Sequence, residues 1–315
     1  MDPTQPEAPV LLTGMGGVLG AGLARGGAVE QWPGVVVAGR EAPEAWRAAP
    51  FVCCDLSQPG AARRLVDALQ PRAVLHAAAV SRIDACERQP ELAHRMHVQV
   101  VEEFLAACPG RVIFLSTDQV FDGQAKELAE DAEPAPIHAY GRSKAEGERA
   151  CLAGGGVVVR LPLLLGPAVP GRPARMGADA VLVEAARKAQ PWDLFEDEWR
   201  APADAADLCA PLGKLLERLA AADPAMRPPE PIYHLAGADA IDRYHLGQAA
   251  CAAAGVEFVH RRARLAAWQG DPRPPRLILR CELAIRDLGF EPPDLRQSLA
   301  RSAAAASQGR RGQET

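Results

Sequence analysis

Short apolar runs that end in small or polar residues recur along the first half of the chain: Val10–Thr13, Val35–Ala38, Phe51–Cys54, Ala73–Ala77, Val112–Ser116 and Val157–Leu161. Between them apolar positions return with helical spacing, most clearly over 61–69, 91–107 and 143–152. Strands apolar at every position are buried on both faces, so their alternation with helices predicts βαβ units. The expected fold is α/β, a Rossmann-type doubly wound parallel sheet with a smaller C-terminal substrate-binding region. Beyond about residue 163 proline and glycine become frequent, as in Gly166-Pro167 and Pro170-Gly171, and the alternation fades. Helices are predicted there at 178–189, 204–221 and 243–254, with a strand at 231–236. The expected organisation is a first domain over 8–165, to which later elements return, and a second region over 166–300 interleaved with it. Residues 301–315 lack apolar bulk and are expected to be disordered.

Composition narrows the class. A chain of 315 residues that is 48% hydrophobic and 24% charged is an ordinary globular protein, which excludes fibrous and wholly disordered readings. Its formal net charge of −5 argues against a nucleic-acid partner, whose binding would rest on a basic surface. No apolar run approaches the roughly 18 residues of a membrane span, and the acidic N-terminus lacks a signal peptide's basic start. The eight cysteines show no metal-like spacing and read as reduced, small apolar core residues of a cytoplasmic protein, the Cys53-Cys54 pair included. Glu91, His94 and His97 share a helical face, but without a fourth convergent ligand no metal site is expected.

The first chemical motif follows the first strand. In Val10-Leu-Leu-Thr-Gly14-Met-Gly-Gly17-Val-Leu-Gly20 the glycines stand at a strand-to-helix turn, spaced G-x-x-G-x-x-G, with Leu19 where the stricter dinucleotide fingerprint has its last glycine. Gly14 suits a tight turn, Gly17 a close approach of backbone N–H groups to a pyrophosphate, and Gly20 close helix packing. Met15, Val18 and Leu19 complete this candidate cofactor turn. Arg40 ends the second strand, where a guanidinium suits the 2′-phosphate of NADP(H) and an acid would suit NAD(H); a solvated surface arginine is the alternative. Asp55 and Leu56 end the third strand and are placed to meet the adenine, although Asp55 equally suits a helix cap. His76, Ala77, Ala78 and Ala79 end the fourth, where small side chains admit a flat cofactor.

The reactive groups are expected beyond the fifth strand. Ser116 and Thr117 end it, and Tyr140 and Lys144, four apart, share one face of the next helix. An ammonium there, together with an oxidised nicotinamide, would lower the phenol's pKa and make Tyr140 an acid/base; Thr117, or Ser116, would bind the substrate oxygen. Lys144 would also hold the nicotinamide ribose. Ser81, Ser116, Gln119 and Arg200 are candidate substrate contacts, and Arg172, Arg175 and Arg200 are candidates for a substrate diphosphate.

These stretches, with His76-Ala-Ala-Ala79, Ser116-Thr-Asp-Gln-Val-Phe-Asp-Gly123, Ala139-Tyr-Gly-Arg-Ser-Lys144, Arg160-Leu-Pro162, Asp197-Glu-Trp-Arg-Ala-Pro202 and Tyr233-His-Leu-Ala-Gly237, resemble the extended short-chain dehydrogenase/reductases. Within that family the chain is most similar to the dTDP-4-dehydrorhamnose reductase-like branch. The resemblance implies NAD(P)(H) as cofactor, a nucleotide-linked keto-deoxysugar as substrate, and Thr117, Tyr140 and Lys144 as the family's catalytic threonine, tyrosine and lysine. Gln119 stands where the branch has a tyrosine and related 4,6-dehydratases a glutamate, and His97 where an asparagine is usual. The expected function is NAD(P)H-dependent reduction of such a sugar by a protein that pairs as a homodimer. An epimerase on the same scaffold is one alternative. The other is a non-catalytic NADP-binding subunit resembling the methionine adenosyltransferase β subunit.

Overall fold

The computed structural model describes residues 8–32, 34–221 and 228–311; the acidic start of the chain and the last four residues of the expected tail lie outside them. Six strands follow the predicted runs: β1 (Val10–Thr13), β2 (Val35–Gly39), β3 (Phe51–Cys53), β4 (Ala73–His76), β5 (Val112–Thr117) and β6 (Val157–Leu161). With the strand Ile232–His234 they form one parallel sheet in the order β3-β2-β1-β4-β5-β6-(232–234). Because side chains alternate along a strand, each run feeds two cores. Leu12, Val37, Leu75, Ile113 and Val159 meet helix α1 (Val18–Arg25) and the helix Cys209–Ala220 on one face, while Leu11, Val74, Phe114 and Val158 meet the helices Ala61–Leu69 and Val100–Ala107 on the other.

The sheet order reverses at β1, which lies between β2 and β4. Their diverging carboxyl ends leave the crevice in which such sheets bind ligands.

The second region is assembled from short pieces. Trp199–Arg200 lies between Ile241–Asp242 and Arg276–Leu277; Leu164–Leu165 pairs with Ala203–Asp204, and Asp193–Phe195 with Arg261–Ala263. The helices Ala178–Arg187 and Arg243–Ala253 cover them with the final helix, Leu295–Arg311.

Three expectations are corrected. Residues 301–311 are helical, not disordered: Leu295, Ser298, Leu299 and Ser302 form a buried stripe at helical spacing. The Ser298 hydroxyl meets Asp207 at 3.3 Å, and alanines, the best helix formers, continue the element. Cys53 is exposed, not core, because β3 is the edge strand. The 91–107 helix is interrupted by a π-helical turn, Arg95–Gln99, which carries His97.

Candidate active site

The crevice beyond β1 and β4 opens into a cavity of about 910 Å³, at the upper end of the size range of small-molecule sites. Its floor is residues 14–19 and 77–81, and its rim carries Arg40, Glu41, Asp55 and Leu56. Gly14 has φ +80°, and a Cβ there would lie 2.3 Å from the Ala77 carbonyl carbon, so the two strand ends meet backbone to backbone. Gly17 caps α1 without any side-chain bond, and a Cβ on it would meet only the Gly14 oxygen, at 3.8 Å. The first N–H groups of α1 therefore need a partner from outside the helix. An uncapped helix start, a glycine floor and three small alanines fit a nicotinamide dinucleotide. Asp55 caps its own turn, accepting from the Ser57 N–H at 3.0 Å, and its exposed carboxylate is held below the usual range by that bond.

Two expected cofactor residues do not line this cavity. The His76 ring is wholly buried between Phe104 and Phe114, accepting from the Thr13 hydroxyl at 2.8 Å and donating to the Met96 carbonyl at 3.2 Å. Desolvation lowers its pKa to about 3 and keeps it neutral. Gly20 lies inside α1, where a Cβ would strike the Met15 carbonyl oxygen at 2.1 Å; its role is close packing.

Thr117, Tyr140 and Lys144 converge at the inner end of the cavity. Lys144 is 3% exposed; its Nζ donates to the Leu115 carbonyl at 2.7 Å and sits 4.4 Å from the centre of the Phe114 ring. Burial pulls its pKa down to about 7. The Tyr140 phenol lies near the Thr117 hydroxyl, and desolvation raises its pKa above the ordinary tyrosine value. The Lys144 ammonium is directed at a main-chain carbonyl, so burial is the largest influence on the phenol. The Thr117 hydroxyl accepts from the Gln119 N–H at 3.2 Å and donates to Asp118 Oδ1 at 3.1 Å. Gln119 is clamped, its amide donating to Asp118 at 3.3 Å and its carbonyl accepting from His138 Nε2 at 3.0 Å.

Ser116 borders the cavity, but its hydroxyl points the other way, to Glu148 at 2.5 Å. Glu148 is in turn gripped through two bonds, 3.0 and 2.8 Å, by the buried Arg160, which fixes the Tyr140 helix against β6. Expectation made Ser116 a substrate contact; strand alternation gives that direction to Thr117 alone. His97 binds the Val80 N–H at 3.1 Å and the Ser143 hydroxyl at 2.8 Å, tying the alanine turn to the Tyr140 helix. His94 faces elsewhere, toward Glu146. Among the described residues no cluster of three potential metal ligands is present.

Thr117, Tyr140 and Ser81 also line a second compartment of about 280 Å³, with Asp118, Gln119, Glu198, Arg200, Arg243 and Arg273. Glu198 is buried; it accepts two bonds from Arg273, at 2.7 and 3.0 Å, and pairs with Arg200 at 3.0 Å. Arg200 is held further by the Trp199 and Pro274 carbonyls. Two buried atoms here have no hydrogen-bond partner, Asp118 Oδ2 and Arg243 Nη1. Desolvation raises Asp118 to about 6 and lowers Arg243 to about 10. Sequence reasoning missed Asp118, Glu198, Arg243 and Arg273 as site residues. Arg172 and Arg175 are not in this compartment: Arg175 donates to the Gly16 carbonyl at 3.0 Å and Arg172 pairs with Glu41, both at the outer end of the larger cavity.

Residues 8–308 match the RmlD substrate binding domain family. Methionine adenosyltransferase 2 subunit beta of Xenopus laevis is 30% identical over 272 residues, 83% of this chain and 76% of that protein. The probable low-salt glycan biosynthesis reductase Agl14 of Haloferax volcanii is 26% identical over 304 residues, 94% of this chain and 97% of that one. Among solved structures, the dTDP-4-dehydrorhamnose reductase of Bacillus anthracis in complex with NADP superposes with a TM-score of 0.76 at 19% identity, covering 95% of this chain and all of the other. The Rossmann-type fold expected from the strand pattern is the fold these proteins share.

Proposed function

The chain belongs to the RmlD substrate binding domain family, and from that premise we propose that it is an NAD(P)H-dependent reductase of a keto group on a nucleotide-linked deoxysugar, with NADPH preferred. The observation that carries the reading is that Thr117 and Tyr140 line both compartments, so a group held in the smaller one meets a cofactor held in the larger. Residues 8–165 bind the cofactor in this reading and residues 166–300 the substrate. Gly14, Met15, Gly17, Val18 and Leu19 would hold the pyrophosphate, Arg40 the 2′-phosphate, Asp55 and Leu56 the adenine, and Lys144 the ribose beside the alanine turn. A bound reduced nicotinamide supplies the hydride that the ketone accepts.

The protein's own part is to position the ketone and to move one proton. The high pKa of Tyr140 keeps the phenol protonated and ready to donate to the substrate oxygen. The Thr117 hydroxyl turns from Asp118 to that oxygen and steadies the negative charge developing on it. Arg243 Nη1, buried without a partner, and Arg273 bind the phosphate-bearing end of the substrate.

The test is to mix the purified protein with NADPH and each of a panel of nucleotide-linked 4-ketosugars and follow the absorbance of the reduced nicotinamide. Oxidation with one ketosugar is the expected result. Interconversion of sugars without net oxidation would mean an epimerase. A second reading is favoured by the 30% identity to the Xenopus laevis subunit: an NADP-binding regulatory subunit. It requires NADPH binding without turnover, and stoichiometric co-purification with a methionine adenosyltransferase whose kinetics respond to NADP.

A further inference from the structure

The mouth of the larger cavity holds an ion pair that the reaction does not use. Glu41 follows Arg40 at the end of β2, its side chain 74% exposed, and pairs with Arg172, which arrives from the opposite wall. Arg172 lies in a tight turn, 169–175, closed by the bonds Val169 N–H to Arg175 O, 2.7 Å, and Arg175 N–H to Arg172 O, 2.8 Å. The same turn is fastened to the glycine floor. Arg175 donates to the Gly16 carbonyl, and a Cβ on Gly16 would come 3.2 Å from Arg172 Nη1. Arg40 and Arg172, from different parts of the chain, therefore both stand with Glu41 on the cavity rim, Arg172 paired with its carboxylate.

The charge at this spot decides between two cofactors. A free carboxylate beside a ribose accepts from a 2′-hydroxyl and repels a 2′-phosphate. Resting on the dinucleotide reading above, we infer that Arg172 is a specificity-determining residue. It neutralises Glu41 in the resting protein and turns to the 2′-phosphate when one is bound, so that Arg40 and Arg172 both contact the phosphate. An arginine's planar fork can serve the carboxylate and the phosphate in the same way, so the exchange needs only a swing of one side chain. Arg40 alone, adjacent to an uncompensated Glu41, would not discriminate strongly.

Calorimetric dissociation constants for NADPH, NADH and adenosine 2′,5′-bisphosphate test this on the wild type, Arg172→Ala, Glu41→Gln and the double variant. Arg172→Ala weakens NADPH and the bisphosphate about ten- to hundredfold, the loss of one charge-assisted contact, and leaves NADH within about twofold. Glu41→Gln added to it returns only the part of that loss caused by the unmasked carboxylate, so the double variant stays weaker for NADPH than Glu41→Gln alone. Equal weakening of NADPH and NADH by Arg172→Ala would mean that the turn only braces the cleft, and unchanged affinities that Arg172 is idle; either overturns the inference and leaves the dinucleotide reading standing. Binding of neither dinucleotide by the wild type overturns both.

Discussion

The two compartments that meet at Tyr140 are made of different material. The larger is shaped by main chain and by residues with little or no side chain, Gly14, Gly17 and Ala77 to Ala79, and apart from the buried Lys144 its charged groups, Arg40, Glu41 and Asp55 among them, stand on the rim. The smaller is walled by charged side chains, of which Asp118, Glu198 and Arg200 are buried. A surface of peptide dipoles is held by the secondary structure that carries it, and one side chain more or less on the rim changes the fold's stability little, whatever it does to binding. A wall of buried ions stands only while each has its counter-ion, so Glu198, shared by Arg273 and Arg200, is its keystone. The first compartment is sensitive to added atoms, the second to removed charge.

The contrast can be broken in several ways. The largest effect is expected at the shared wall, where Tyr140→Phe lowers turnover by about 10²–10⁴ in steady-state assays and leaves the NADPH dissociation constant nearly unchanged. Substantial turnover by that variant would move the reaction away from the junction. Next, Glu198→Gln strands the buried Arg200 and costs about 3–5 kcal/mol in denaturant unfolding, whereas Arg40→Ala on the open rim stays within about 0.5 kcal/mol. Comparable losses would erase the distinction. Gly14→Ala forces a side chain into positive φ and onto the Ala77 backbone; about 1–3 kcal/mol is expected, with dinucleotide affinity falling in parallel.

The smallest expected effects, and the sharpest in sign, concern pH. Asp118 is raised from 3.8 to about 6, so the folded state binds more protons across that window and stability is lost as pH rises through it. Lys144 is lowered from 10.5 to about 7, so the unfolded state binds more protons there, and stability is lost as pH falls from 10.5 toward 7. Each slope is bounded by about 1.4 kcal/mol per pH unit. Asp118→Asn and Lys144→Met should flatten their own windows in opposite senses when unfolding free energies are measured across pH.

The main sheet was legible because its strands are buried on both faces and read as unbroken apolar runs, and the glycine turn because its backbone allows little else. Ser116 and His76 were misread for one reason, that neighbouring strand residues face opposite ways. Thr117 opens on the cleft while Ser116 turns to Glu148, and His76 is folded between two phenylalanine rings. The charged compartment was legible only in part: Ser81, Gln119 and Arg200 were expected there, but Asp118, Glu198, Arg243 and Arg273 were not. Its charged residues come from 118 to 273, several of them on or beside strands only two residues long, which leave no periodicity. The final helix escaped notice because two of the four residues in its buried stripe are serines, Ser298 and Ser302.

The strand Ile232–His234 gives the sheet its last edge, and this imposes an order on biosynthesis. When β6 leaves the ribosome its outer edge is bare, although all five of its residues are buried in the finished protein. At about 5–20 residues per second, the roughly 70 residues that separate it from its partner take about 4–14 s to make. Through that interval an apolar, hydrogen-bond-hungry edge is open to any other strand in the cell, a neighbouring nascent copy included. Yield of native protein should therefore depend on how crowded the polysome is and on what shelters the chain while it waits.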